Sequence, residues 1–441
     1  MGMILRIELI IIGDELLNGR ISDLNGVFLA KFLHKRGIEL SNITVCQDSK
    51  ESIQEAIQIA INRSHIILTT GGLGPTEDDR SKMVMSEIFE KKISKNDLAE
   101  KITIDNYQRY GRQWIIDQNH YDKVPEDFNP LPNLNGLAPG LSYQIPNKSK
   151  KQWLFMAPGV PKEFYNMLEN TFFPFIAEEY GLKNNLNEDS EFRQIAIRTF
   201  GVPEEKIFNQ IAPNLWDDLS QIGKVSSLPQ STGVNIIISL DYSQYEETKF
   251  FDLKTIYHEK LQQVKSLVNK TDLKNSVWQF GDLSLAEKII QLCQKKNLTF
   301  AFAESCTGGL ASSKITDVPG SSESFLASYV TYSNEQKIKT LNVKESSIEK
   351  FGAVSIEVVE EMATSALKLT KCDYSIAWSG IAGPGGGSIE KPIGTLALSW
   401  AQKGMKPEST IIHSTGDRLS LKNRFADIGL LKLLIMLKSE A

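Results

Sequence analysis

The chain is poor in the residues that build the commonest metal and disulfide sites. Its 441 residues include four cysteines, Cys46, Cys293, Cys306 and Cys372, and no two of them form a CxxC pair. A zinc knuckle and a disulfide scaffold are therefore excluded as organising principles. There are only five histidines, and none of His34, His65, His120, His258 or His413 sits in a glycine-rich loop. A serine-histidine hydrolase motif is thus missing too. No apolar run approaches the ~20 residues of a membrane span; the longest candidate, IGLLKLLIMLK, is interrupted by Lys432. A positive field is lacking as well, since 49 Lys+Arg face 54 Asp+Glu for a net charge of -5, so no chain-wide polyanion surface is expected. With 41% apolar and 23% charged residues, composition fits an ordinary folded protein rather than a disordered or fibrous one.

At about 150 residues per domain the length predicts roughly three domains. The run at 6–12 reads as a first strand rather than an export signal, and a cytoplasmic protein is expected. Strand-like and helix-like stretches alternate from residue 6 to 69 and again from 285 to 437, the signature of βαβ units in mostly parallel sheets. Polar breaks at 184–189 and 269–276 bracket a smaller strand-helix-strand piece. The expected fold class is α/β: two α/β domains, at 1–170 and 276–441, joined by a small α+β domain at 171–275.

Chemistry concentrates at two strand-to-helix turns. In TFAFAESCTGGLASS a buried strand runs into Ser305, Cys306, Thr307, Gly308 and Gly309 and then a helix start. Such a turn lifts a side chain from the sheet edge, and free N–H groups there can hold an oxyanion or a phosphate. The same residues also suit a helix N-cap by Ser305 or Thr307 with a packing glycine. A serine nucleophile needs a base, and with histidine scarce a lysine that has lost its proton is the substitute; Lys337, shortly after the strand at 325–332, is the candidate. Cys306 is a rival nucleophile, because a thiolate is intrinsically more reactive. The run SGIAGPGGGSIEKPIGT bares backbone amides around Gly385 and Gly386, and TGDR places Arg418 at a helix start where its guanidinium could clamp a phosphate.

The second turn is HIILTTGGLGPTEDDRSK, where Gly71, Gly72 and Gly74 permit close backbone approach to phosphate oxygens. Glu77, Asp78 and Asp79 follow, and carboxylates could hold a bridging divalent cation or simply complement a helix dipole. The neighbouring loop IIGDELLNGRISDLN adds Asp14, Glu15, Asn18 and Asn25.

AESCTGG, VTYSNEQK, SGIAGPGGGS with KPIGT, and the TGDR helix, in this order, resemble the C-terminal domain of the CinA (competence/damage-inducible protein) family, a domain also found alone as nicotinamide mononucleotide deamidase. The resemblance covers about 280–438 and implies Ser305 as nucleophile, Lys337 as base, Tyr332 as a hydroxyl partner, and Arg418 as ligand of the substrate phosphate, with Thr307, Gly308, Gly309, Gly385 and Gly386 about the substrate. It implies no cofactor or metal for that reaction. The second turn's glycines, with GLAPG at 136–140 and APGVPKE at 157–163, resemble the molybdopterin-binding-like domain that begins CinA proteins and is associated there with metal-dependent ADP-ribose pyrophosphatase activity. That resemblance implies a nucleotide held by Gly71, Gly72, Gly74, Asp14 and Asn25, and magnesium or a similar divalent metal at Asp78 and Asp79. The chain departs from it at Asp122-Lys123 before Pro125 and at Leu137, where the family carries a threonine. The middle piece resembles the family's KH-like module yet lacks a GxxG loop, so nucleic acid is not an expected partner. Expected partners are nicotinamide mononucleotide and ADP-ribose, with no membrane, and a homodimer is expected. The competing class is a non-catalytic pterin- or nucleotide-binding protein tied to competence or molybdenum-cofactor assembly.

Overall fold

A computed structural model describes residues 5–76, 79–115, 119–146, 150–182, 192–241 and 253–439. By its contacts the chain divides into two compact units, Met1–Arg193 and Gln194–Ala441.

The described residues of the first unit contain the strands β1 (Ile7–Ile12), β2 (Leu40–Cys46), β3 (Ile66–Thr70), β4 (Ile93–Lys95), β5 (Lys123–Pro125), β6 (Asn129–Leu131), β7 (Gly140–Gln144) and β8 (Trp153–Ala157). Six of these form a sheet of order β2-β1-β3-β8-β7-β6, and β4 pairs with β5 alongside. β1 runs parallel to β2 and β3, and β3 to β8, with Ile11 opposite Thr70 and Thr70 opposite Ala157. The sheet is mixed, not wholly parallel. β7 reaches β8 through 145–152, a connection shorter than the dozen or so residues a parallel crossover needs, so the pair is antiparallel.

Alternation along β1 shows why it is buried along its whole length. Ile7, Leu9 and Ile11 join the core against the helices Asn25–His34 and Pro161–Met167, while Ile10 and Ile12 join the opposite core against Lys50–Arg63 and Ser81–Ile88. Glu8 interrupts the second face. Its buried carboxylate accepts from Arg63 Nε (2.9 Å) and Nη2 (2.5 Å), from Ser64 Oγ (2.8 Å) and from Thr44 Oγ1 (3.1 Å).

The second unit opens with an antiparallel sheet of order β10-β11-β9-β12, built from β9 (Gln194–Thr199), β10 (Lys224–Pro229), β11 (Val234–Ser239) and β12 (Val277–Phe280). Its last strand lies beyond residue 275, so this sheet extends past the boundary expected for the middle piece. Val234, Ile236 and Ile238 face a core with Ile195, Ile197, Leu215 and Val264.

The rest of the unit contains β13 (Phe300–Glu304), β14 (Phe325–Val330), β15 (Tyr374–Gly380), β16 (Thr395–Gln402) and β17 (Glu408–His413), in the order β14-β13-β15-β16-β17. β13 lies parallel to β14 and β15, and β16 and β17 continue antiparallel. The helices Leu285–Lys296 and Arg418–Ser439 pack on one face around Phe302, Trp378 and Phe425, and Ile356–Thr370 covers the other through Val359, Met362 and Ala363. The C-terminal ends of β13 and β15 thereby open at one edge.

Candidate active sites

β13 is wholly buried and ends on Glu304, after which the chain turns through Ser305 to Gly309 before the helix Leu310–Thr316. Gly308 and Gly309 have φ of 62° and 90°, left-handed values that side chains rarely adopt, so the tight reversal depends on the glycine pair. Ser305 N donates to Trp378 O (3.0 Å), pinning the turn to the adjacent strand.

Lys337 reaches this turn from the helix Asn334–Leu341, whose first turn is capped by Ser333 Oγ accepting from Gln336 N. Nζ donates to Ser305 Oγ (2.9 Å) and to Thr331 O (2.9 Å). The side chain is 1% exposed, with no carboxylate among its hydrogen-bond partners, and burial pulls its ammonium from 10.5 down to about 8. The lysine expected from the sequence as base thus lies within proton-transfer distance of Ser305, the residue expected as nucleophile.

Ser305, Cys306, Lys337, Ser379, Tyr332 and Arg418 line a cleft of about 190 Å³. Burial pushes the Cys306 thiol up to about 12, so it is a neutral thiol at physiological pH and not the better nucleophile its type suggests. The Tyr332 hydroxyl bonds neither Ser305 nor Lys337. It accepts from Arg418 Nη2 (2.9 Å) at the rim, and Arg418 Nη1 donates to Gly383 O (2.5 Å).

The glycines expected around the substrate are placed differently. Gly308 N donates to Ser305 O (3.0 Å) and Gly309 N to Glu304 Oε2 (2.9 Å), so both amides are already engaged. Gly385 and Gly386 lie on an exposed loop outside the cleft wall. Among the described residues no backbone carbonyl accepts from the N–H groups of Cys306 and Thr307; both face the Cys306 sulfur, a weak acceptor, which leaves them the turn's least engaged donors. His413 pairs with Thr395 Oγ1 (3.2 Å) and takes no part in the cleft.

In the first unit, the C-terminal ends of β1, β3 and β8 border a wider cleft of about 760 Å³, lined by Gly71, Gly72, Gly74, Glu15, Asp79 and Arg112 among others. A Cβ on Gly71 would lie 2.2 Å from Ile12 O, so only glycine lets the loop pass the end of β1. Asn25 secures the neighbouring loop by donating from Nδ2 to Thr70 Oγ1 (3.0 Å) and Gly159 O (2.9 Å). Asp14 is set back from the cleft wall, where Asp14 N donates to Asp48 Oδ2 (3.1 Å).

The expected metal site falls only partly within the described residues. Asp78 lies outside the described residues. The Asp79 carboxylate accepts from Gly74 N (2.8 Å), Thr76 N (2.9 Å) and Thr76 Oγ1 (2.5 Å), so it closes the glycine loop. Among the described residues no group of three His, Cys, Asp or Glu side chains could hold a metal ion. Sequence reasoning missed Lys82, whose Nζ donates to the carbonyls of His120 (2.7 Å) and Lys123 (3.0 Å) and whose ammonium burial pulls down to about 8, against the opposing charges of Asp122 and Asp79.

Two α/β modules with glycine turns at their strand ends, one of them holding a serine-lysine pair, define the class, and the comparisons agree with it. Residues 282–437 match the CinA C-terminal domain and residues 8–178 the probable molybdopterin binding domain. The chain is 33% identical over 434 residues to a CinA-like protein of Chlorobaculum tepidum, covering 98% of both chains. It is 34% identical to a putative competence-damage inducible protein of Thermoanaerobacter pseudethanolicus, covering 95% of both. A crystal structure of a competence/damage inducible protein from Agrobacterium tumefaciens aligns with 35% of this chain and 93% of that one at 34% identity and a TM-score of 0.34. The chain belongs to the CinA family. None of the helices among its described residues is long and apolar enough to cross a membrane.

Proposed function

We propose that the second unit is an amidohydrolase converting nicotinamide mononucleotide to nicotinate mononucleotide and ammonia, within the recycling of pyridine nucleotides. The observation that carries this reading is the 2.9 Å contact between Lys337 Nζ and Ser305 Oγ, with the lysine buried. A module that only binds has no use for a nucleophile beside a base whose proton is loosened, which disfavours the pterin-binding alternative.

In this reading the neutral Lys337 amine takes the Ser305 proton as Oγ attacks the carboxamide carbon. The negative oxygen of the tetrahedral intermediate is held by the N–H groups of Cys306 and Thr307. Lys337 returns its proton to the departing nitrogen, ammonia leaves, and an ester on Ser305 remains. Water, deprotonated by Lys337, then cleaves that ester and releases the acid. Arg418, at the cleft rim, holds the substrate phosphate, and Tyr332 orients the guanidinium through their 2.9 Å bond. No step draws on a metal. Ammonia release from nicotinamide mononucleotide by the full chain tests the reading: activity in the wild type and its loss in Ser305→Ala is the expected pair, and full activity in Ser305→Ala would overturn it.

For the first unit we propose binding of a nucleoside diphosphate sugar in the 760 Å³ cleft, with hydrolysis of ADP-ribose as the activity the family resemblance implies. The glycine loop at the strand ends and Arg112, which lines the same cleft, support this. Incubation with ADP-ribose and magnesium should release AMP; retention of intact ADP-ribose while deamidation proceeds would count against it.

A further inference from the structure

The end of β13 carries a charge that the mechanism above does not use. Glu304 is fully buried, yet its carboxylate receives five donors: Gly309 N (2.9 Å) and Ala311 N (3.3 Å) on Oε2, with Ser312 N (2.9 Å), Ser312 Oγ and Ser328 Oγ (3.4 Å) on Oε1. Three of these are amides at the start of the helix Leu310–Thr316, which a chain with an apolar residue at 304 would leave unsatisfied. The backbone of Glu304 is fixed as well, because Thr331 N donates to its carbonyl (2.9 Å).

We propose that Glu304 is the positioning residue of the nucleophile turn. By taking up the amides of Gly309, Ala311 and Ser312, its carboxylate closes the helix start to any substrate anion. It also fixes the far end of the Ser305–Gly309 loop, whose near end Trp378 O holds. Clamped at both ends, the loop leaves the N–H groups of Cys306 and Thr307 with neither a carbonyl nor a carboxylate acceptor, facing only the weakly accepting Cys306 sulfur next in the chain to Ser305. The oxyanion donors are thus selected by a side chain that touches neither substrate nor reacting atoms. This rests on the amide-hydrolysis reading for its substrate, but not for its geometry.

The test is the rate at which a fluorophosphonate probe labels Ser305 in the full chain, followed by peptide mass, since phosphonylation needs the same nucleophile and the same oxyanion donors. Glu304→Gln keeps the shape but turns an NH2 group toward N–H or O–H donors, and is expected to slow labelling by about tenfold or more while leaving the midpoint of its pH dependence in place, because Lys337 keeps its surroundings. If Glu304→Gln does not fold, Ser312→Ala carries the test. It removes one anchoring hydroxyl and is expected to slow labelling at least about twofold. Labelling of a folded Glu304→Gln within about threefold of wild type, labelling of Ser312→Ala at the wild-type rate, a displaced pH midpoint, or a wild type unlabelled at Ser305 would each overturn the proposal. Ammonia release measured in parallel separates the two ideas: wild-type labelling without deamidation refutes the substrate reading and leaves the role of Glu304 standing.

Discussion

Lys337 should make catalysis and stability depend on pH in linked ways. Its amine acts as base only when neutral, so kcat/KM for deamidation rises as pH rises through the folded-state value of about 8. With that value roughly a tenth of the enzyme is competent at pH 7 and roughly nine tenths at pH 9, an increase of about tenfold. The stability consequence follows from the same shift. The unfolded chain holds the proton up to about 10.5 and the folded chain only to about 8, so folding is opposed by the full cost of a buried ammonium below pH 8, and that cost is relieved between 8 and 10.5. At about 1.36 kcal/mol per unit this is ~3 kcal/mol. The perturbation is Lys337→Met, which keeps a similar length of apolar stem and removes the charge. It should abolish ammonia release while raising stability against urea at pH 7, by up to ~3 kcal/mol less the lost bond to Thr331 O, with the gain shrinking toward pH 10.5. A Lys337→Met protein less stable than wild type at pH 7, or a wild-type kcat/KM flat between pH 7 and 9, would refute this reasoning.

Cys306→Ala should keep deamidase activity within about fivefold of wild type, because a thiol pushed up to about 12 supplies no thiolate; activity lost in this variant and kept in Ser305→Ala would transfer the nucleophile to sulfur. Arg418→Ala should raise KM for the mononucleotide by about 10–100-fold with a smaller change in kcat, read from initial rates over a substrate series. In the first unit, burial pushes the Glu8 carboxyl up but the bonds from Arg63, Ser64 and Thr44 outweigh it and hold it below its ordinary value, so its stabilisation is present above pH ~4.5 and lost as pH falls through the folded value. Arg63→Ala should cost ~3 kcal/mol in urea unfolding at pH 7, since it leaves a buried carboxylate without its cation.

The parts of the fold legible in the sequence are those where burial is two-sided. β1, β3 and β13 are wholly buried, mostly apolar runs because both faces of their sheets are covered, and such runs stand out without any knowledge of neighbours. The three-residue strands β4, β5 and β6 carry too few residues to show a period, and β5 and β6 each contain a proline, which argues against a strand when read alone. In the candidate site, Ser305 and Lys337 were legible from a glycine turn and a scarcity of histidine. The pairing of Tyr332 with Arg418 was not, since it joins positions 86 apart in sequence. Glu304 was hidden by its place at the end of a strand. The signal available was an acid closing a fully buried run just before a helix start, where orphan amides need an acceptor. The loop role of Asp79 was hidden in the same way, since its oxygens accept from the loop's own amides and the Thr76 hydroxyl, contacts that a cluster of acids in sequence does not reveal.

The central claim is that Ser305 forms the covalent intermediate with Lys337 as its base. Rapid acid quench of the full chain mixed with nicotinamide mononucleotide, followed by peptide mass analysis, addresses it directly. The account predicts an adduct of substrate minus ammonia on Ser305 that is absent from Lys337→Met; ammonia release with no adduct on Ser305, or an adduct on Cys306, would contradict it.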